Sequence, residues 1–164
     1  MFNSWNGNNG TNYNNMLVQK TYLVEHRGVR EEPCTFIYRQ TANFRHFEVQ
    51  MVKKTGTVCV GFAPGNLARS NTIGWTPGTF GVESSGELFF DGHFDEKVPS
   101  FIEGDVIGCS WDWAQGKIIY FRNGEKIAES TVIVLAGPLF PAVTIWCPRD
   151  RVEVRLGSSL ENPR

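Results

Sequence analysis

The residues of this chain with the most chemical potential are a short acidic run, three histidines, four cysteines and several tryptophans. Glu103-Gly104-Asp105-Val106-Ile107-Gly108 resembles the ExDxxE pattern with which some sandwich glycosidases flank a sugar. That chemistry needs two carboxyls across the scissile bond, one as acid and one as nucleophile or base. Gly108 stands where the last carboxylate would be, and Gly104-Asp105 is good turn chemistry, so Glu103 and Asp105 read as a turn entering a strand. Gly108-Cys109-Ser110-Trp111-Asp112 approaches a nucleophile elbow but has Asp where a second glycine must allow the tight turn. A phosphate-cradling GxxxxGK[ST] loop is absent.

Metal chemistry fares no better. His26, His46 and His93 lie far apart and read as surface or strand histidines, and Asp91, Asp95 and Glu96 lack the regular acidic spacing of a calcium loop. Cys34, Cys59, Cys109 and Cys147 form no CxxC, and Cys59 and Cys109 sit inside apolar runs. Free, mostly buried thiols in a reducing compartment are expected, with no disulfide, metal or cofactor and no catalytic residue.

What remains is aromatic. Trp75 follows Ile73-Gly74 and reads as packing. Trp111 and Trp113 are two apart on one strand and share a face with Ile107 and Cys109, which reads as core. Trp146 closes an apolar strand and precedes Cys147-Pro148-Arg149-Asp150. It reads either as core edge or as a binding anchor at a loop mouth beside Arg149.

The elements that must position these residues are strands. Phe47, Val49 and Met51 alternate with Glu48 and Gln50; Val58, Val60 and Phe62 with Cys59 and Gly61; Val152, Val154 and Leu156 with Glu153 and Arg155. Residues 117–121, 131–135 and 140–146 read as further strands, and no convincing helix appears. Asp91-Gly92 and Asn123-Gly124 are two-residue hairpin signals, because type I′ turns need positive φ at both central positions. Seventeen Gly and eight Pro, scattered through the chain, suit many short connections. The pattern predicts an all-β antiparallel sandwich or barrel, with Lys53, Lys54, Glu153 and Arg155 as guards against edge pairing.

The 164 residues, 41% hydrophobic and 20% charged, fit one domain with one core. Residues 1–15, seven of them Asn, read as a disordered tail, residues 16–157 as the domain, and 158–164 as a short polar tail. Sixteen Lys and Arg against seventeen Asp and Glu leave a net charge of −1, and the basic residues come in short dispersed groups, so nucleic acid is not the expected partner. No run approaches eighteen apolar residues and the start lacks the layout of a secretory signal, so no membrane association and a cytoplasmic location are expected.

In order, VCVGFA at 58–63, Ile73-Gly74-Trp75, TFG at 79–81, GDVIGC at 104–109, Asp112, IIYFRNG at 118–124, Leu139-Phe140-Pro141-Ala142-Val143 and VEVRLG at 152–157 resemble a SPRY domain, closest in spacing to those of the Ran-binding type. FRHFEVQM at 44–51 looks like that family's early strand. The resemblance implies a bent sandwich of two antiparallel sheets, a concanavalin-like jelly roll. It implies a non-enzymatic module that binds a short peptide or a protein surface through loops at one rim. Gly108 would let the sheets approach. Two departures stand out: 80–92 lacks the tyrosine and paired acidic residues common in Ran-binding-type members, and Trp146 falls one residue short of its spacing in SOCS-box-linked SPRY proteins.

The expected function is therefore recognition of a protein or peptide by a monomeric module. A lectin-like sandwich stacking a glycan on exposed Trp is the alternative. The expected rim comprises the loops around 39–43, 64–72 and 146–150, where Arg39, Asn66, Arg69, Asn71, Trp146 and Arg149 supply donors, amides and one large aromatic.

Overall fold

The structure, a computed structural model, describes residues 16–39, 46–112, 114–132 and 137–159. The expectations for the N-terminal tail, for Trp113, for 40–43, for most of the 131–135 run and for 160–164 of the short polar tail lie outside the described residues.

Twelve strands and no helix make up the described chain. They are β1 (Met16–Glu25), β2 (Cys34–Ile37), β3 (His46–Lys53), β4 (Val58–Pro64), β5 (Phe80–Glu83), β6 (Glu87–Phe90), β7 (His93–Lys97), β8 (Val106–Asp112), β9 (Lys117–Arg122), β10 (Glu125–Thr131), β11 (Leu139–Ile145) and β12 (Arg151–Ser159). They form two six-stranded antiparallel sheets. Sheet A runs β1-β12-β3-β8-β9-β10 and sheet B runs β2-β11-β4-β5-β6-β7. The sheets close face to face over one core, with Phe47, Val49, Met51, Ile107, Cys109, Trp111 and Tyr120 from sheet A meeting Val58, Val60, Phe62, Val82 and Val143 from sheet B. The Phe47 and Phe62 rings meet edge to face at 5.4 Å, a geometry their quadrupoles favour. All four cysteines are free.

Alternation sets which face each residue takes. Ile107 and Cys109 are core residues, so Gly108 between them faces away from the other sheet. A Cβ there would meet the His46 ring at 3.2 Å and Phe121 at 3.5 Å. Its role is to admit His46 and Phe121 to the outer surface of sheet A rather than to bring the sheets together. The edge guards also differ from the sequence reading. β3 and β12, which carry Lys53, Glu153 and Arg155, are interior strands, and the exposed charges lie on β7 and β10 at the true edges.

Both hairpin turns are type I′. Asp91 and Gly92 have φ of 54° and 86°, and Asn123 and Gly124 have 51° and 88°. The Asn123 side chain locks its turn to the start of β8: Oδ1 accepts from Val106 N–H at 2.9 Å, and Nδ2 donates to Asp105 Oδ1 at 3.0 Å. Burial works against ionisation of Asp105, but Asn123, the Ile102 N–H and Arg122 outweigh it and hold the carboxyl below its usual range. Glu103 is spent in the same way, accepting from Lys54 N–H at 2.8 Å. The two carboxylates that resemble a glycosidase pair thus tie loops together.

Gly124→Val should lower stability by roughly 1–3 kcal/mol, more than Asn123→Ala, because a β-branched residue is strained at positive φ; equal melting temperatures for Gly124→Val and the parent would refute the turn assignment. A depressed Asp105 pKa adds stability that is complete above the unfolded carboxyl pKa of about 3.9 and is lost as the pH falls through the lower folded value. Acid titration of the unfolding free energy should therefore show a flatter acid limb for Asp105→Asn than for the parent.

Candidate functional site

The connection from β4 to β5 is a strap of fifteen residues, 65–79, that does not stay at the rim. It lies over the outer face of sheet B, where Leu67 and Ile73 join Cys59, Ala63 and Ala142 in a second buried cluster. The sheet is shaped to receive it. On that face β4, β5 and β11 carry Gly61, Gly81 and Ala142 in one register row.

Two threonine hydroxyls fasten the strap. Thr35 Oγ1 on β2 donates to Asn71 C=O at 2.6 Å, so its contact with Thr144 Oγ1 on β11, also 2.6 Å, has Thr144 as donor. Thr144 Oγ1 in turn accepts from Ile73 N–H at 3.1 Å. The backbone N–H of Thr35 donates to Arg69 C=O at 2.9 Å. Thr35 and Thr144 are 1% and 0% exposed, so no water competes for the bond between their hydroxyls or for that from Ile73 N–H.

The strap sets Trp75 against Trp146, with ring centroids 5.4 Å apart. Trp146 is half-buried; Trp75, read as packing, does pack against Trp146 and Phe89, but on the outside of the sheet, where it stays 43% exposed. The Trp146 backbone is clamped between two loops: its N–H donates to Thr57 C=O and its C=O accepts from Glu32 N–H, both at 3.1 Å. Its Nε1 is buried with no partner among the described residues.

Those two loops are themselves pinned. His26 Nδ1 accepts from Gly28 N–H at 3.0 Å, which makes Nε2 the protonated nitrogen that donates to Glu32 C=O at 2.9 Å. Asp150, fully buried, accepts from the N–H and hydroxyl of Thr55 and from Gly56 N–H. A Cβ at Gly56 would come within 2.7 Å of Cys147, so only glycine allows this approach. His26, expected to be a surface or strand histidine, is instead buried just past the end of β1, where it pins its own loop. Asp150 and Thr144 were given no role from the sequence, because their partners lie far away in the chain.

The expected rim residues separate. Arg39, at the β2 exit, donates through Nε to Gly65 C=O at 2.6 Å, and Asn66 is exposed beside it. Trp146 and Arg149 lie beyond the other end of β11, about 20 Å away for seven strand residues. Arg149 is exposed and holds a positive φ of 72°. Arg69 and Asn71 sit between these ends on the strap. The Arg69 guanidinium lies 5.1 Å from the Phe36 ring centroid and 3.2 Å from Cys34 Sγ. It borders a groove of about 560 Å³ that opens between the edge strands β1 and β2 and is lined by Tyr22, Phe36, Tyr38 and Arg27. Burial, with a smaller effect from Tyr22, raises the Tyr38 phenol well above its usual pKa, so it stays protonated. Among the described residues no cluster of three or more His, Cys, Asp or Glu could hold a metal ion.

Two six-stranded antiparallel β-sheets with clamped loops and a strap fastened over one face define a β-sandwich domain. The chain belongs to the SPRY domain family, whose sequence model matches residues 44–158. It is 26% identical over 161 residues to human SPRY domain-containing protein 3, spanning 90% of this chain and 36% of that protein. It is 24% identical over 153 residues to zebrafish (Danio rerio) Ran-binding protein 10, spanning 90% of this chain and 25% of that one. The chain thus covers about a third or less of these relatives. A crystal structure of a human SPRY domain superposes with a TM-score of 0.69 at 23% identity, covering 90% of this chain and 98% of that one. The SPRY domain of human HERC1 superposes with a TM-score of 0.68 at 20% identity, covering 90% and 94%. Domains of this family are generally protein-interaction modules.

Thr144→Val keeps the shape of the side chain but strands Ile73 N–H and removes the donor to Thr35. A loss of about 1–3 kcal/mol is expected, with the strap becoming the first site of limited proteolysis. An unchanged melting temperature with an equally resistant strap would contradict this anchoring.

Proposed function

We propose that this domain recognises a short peptide or protein surface, without catalysis, at the loops that meet around Trp146. The observation that carries the reading is convergence. The strap 65–79, the loop 26–33 and the loop 146–150 come from three parts of the sequence. Each is fastened by hydrogen bonds from a buried side chain, Thr35, His26 or Asp150, so the surface they form is held in place before any partner arrives. A preorganised surface loses little conformational entropy on binding. Trp146 supplies a large ring with few rotamers, and Arg69, Asn71 and Arg149 supply exposed donors for the carbonyls and carboxylates of a bound segment. Arg39 and Asn66 mark the far margin, reached only by a partner that follows the strap along the β2 edge. Four free thiols fit a reducing, intracellular compartment.

The test pairs binding with stability. On peptides selected from an immobilised library, Trp146→Ala should weaken binding by about 2 kcal/mol or more, and Arg69→Ala by less, with both variants melting close to the parent. Binding that survives both substitutions would place recognition elsewhere. A large melting drop for Trp146→Ala, with binding intact in Arg69→Ala and Arg149→Ala, would make Trp146 a core residue.

A further inference from the structure

The outer face of sheet B carries a row of aromatic rings that extends past the rim. Trp75 and Phe94 are 43% and 52% exposed, the two exposed aromatic side chains among the described residues. Phe89 joins them, 6.2 Å from each, and Trp146 adds a fourth ring at 5.4 Å from Trp75. The row thus crosses from the end of β11 to the edge strand β7. Phe89 and Phe94 are register partners, and Gly74 on the strap lies so near Phe89 that a Cβ there would meet Phe89 Cβ at 3.0 Å.

Carboxylates border this row. The next register row on the same face reads Cys59, Glu83, Glu87 and Lys97 from β4 to β7. Glu83 is only 8% exposed; its Oε2 accepts from Ser85 Oγ at 2.9 Å, and it has no cationic partner among the described residues. Glu87 faces Lys97 at 3.8 Å, but 78% of that lysine side chain is exposed, so the pair holds little energy. On the strap side, Asp91 Oδ1 accepts from Gly78 N–H at 2.6 Å. Contiguous exposed apolar patches mark interaction sites more often than single exposed side chains do, and ring faces carry negative quadrupole charge. Carboxylates beside such faces deepen a potential that attracts cations and repels acidic groups. This contrasts with the groove between β1 and β2, which Arg27 and Arg69 border.

We propose that Trp75 and Phe94, together with Glu83 and Glu87, form a docking site for an arginine or lysine side chain of a protein segment crossing sheet B. The proposal rests on the reading of the chain as a peptide-binding module and adds a second contact surface to it. A partner anchored at Trp146 that continues toward β7 would meet this row next, its basic group over the rings and its charge against the carboxylates.

The experiment uses the full chain against an immobilised positional-scanning library of short peptides, with an array of neutral oligosaccharides alongside. The parent should select Arg or Lys at a fixed position and bind more weakly as salt is raised. Phe94→Ala and Glu87→Gln should each weaken the selected peptides roughly tenfold without moving the Trp146-dependent positions, and Trp75→Ala, whose ring also borders Trp146, should weaken them at least as much. Phe94 is exposed and Glu87 half-buried, both outside the buried core, so these variants keep the test valid if Trp75→Ala loses stability. Selection of acidic residues, basic selection that survives both Trp75→Ala and Phe94→Ala, or oligosaccharide binding in place of peptide would overturn the proposal. Peptides that depend on Trp146 and Arg69 but show no basic preference would overturn this site alone. No peptide selected at all would overturn both readings.

Discussion

The hydroxyl of Thr144 and its bond to Thr35 decide what kind of surface this sandwich presents. Without them the strap 65–79 would be a long loop at one end of the sheets. With them it becomes a layer over sheet B that sets Trp75 against Trp146 and fixes Arg69 beside Phe36. The interaction is strong because it is dry. Both hydroxyls and the N–H of Ile73 are removed from water, so each bond lost would leave a buried polar group unpaired. The row of Gly61, Gly81 and Ala142 is the complementary constraint, since larger side chains there would lift the strap off the sheet.

The same physical device recurs at the other loops. Asp150 is a buried carboxylate that accepts three bonds from one short turn, and His26 is a buried imidazole whose two nitrogens serve opposite roles within one loop. Neither residue touches the solvent that a partner would displace. They act by holding backbone, and they leave the exposed side chains around Trp146 free to vary with the partner. A sandwich scaffold with buried polar pins and variable exposed tips suits recognition.

Strand positions were legible because period two survives wherever one face is buried, as in Phe47–Met51 and Val152–Leu156, and the Asn-Gly and Asp-Gly turns announced their own geometry. β1 and β2 were not, since an edge strand has one neighbour and its pattern is diluted by exposed positions such as Leu23. The choice of residue types for the rim was readable, but not their grouping. Arg39 and Trp146 fall at opposite ends of β11 because β2 and β11 run antiparallel, a fact of pairing that local sequence does not encode. Trp75 was legible as a packing residue, but not which surface it packs on, since only the path of the strap puts it on the outside of sheet B. Gly108 shows the same limit: a glycine in a strand signals close approach, but not from which side.

The most direct test of the whole account is amide hydrogen exchange at Ile73 and Thr35, followed by NMR in the unmodified protein. Both amides belong to loop-to-strand contacts rather than to a sheet ladder, and both should exchange as slowly as the interior amides of β4 if the strap is a fixed layer of the fold. Exchange of both at the rate of an exposed loop, with β4 still protected, would show that the strap is not fastened to the sheet and that the surface around Trp146 is not preformed.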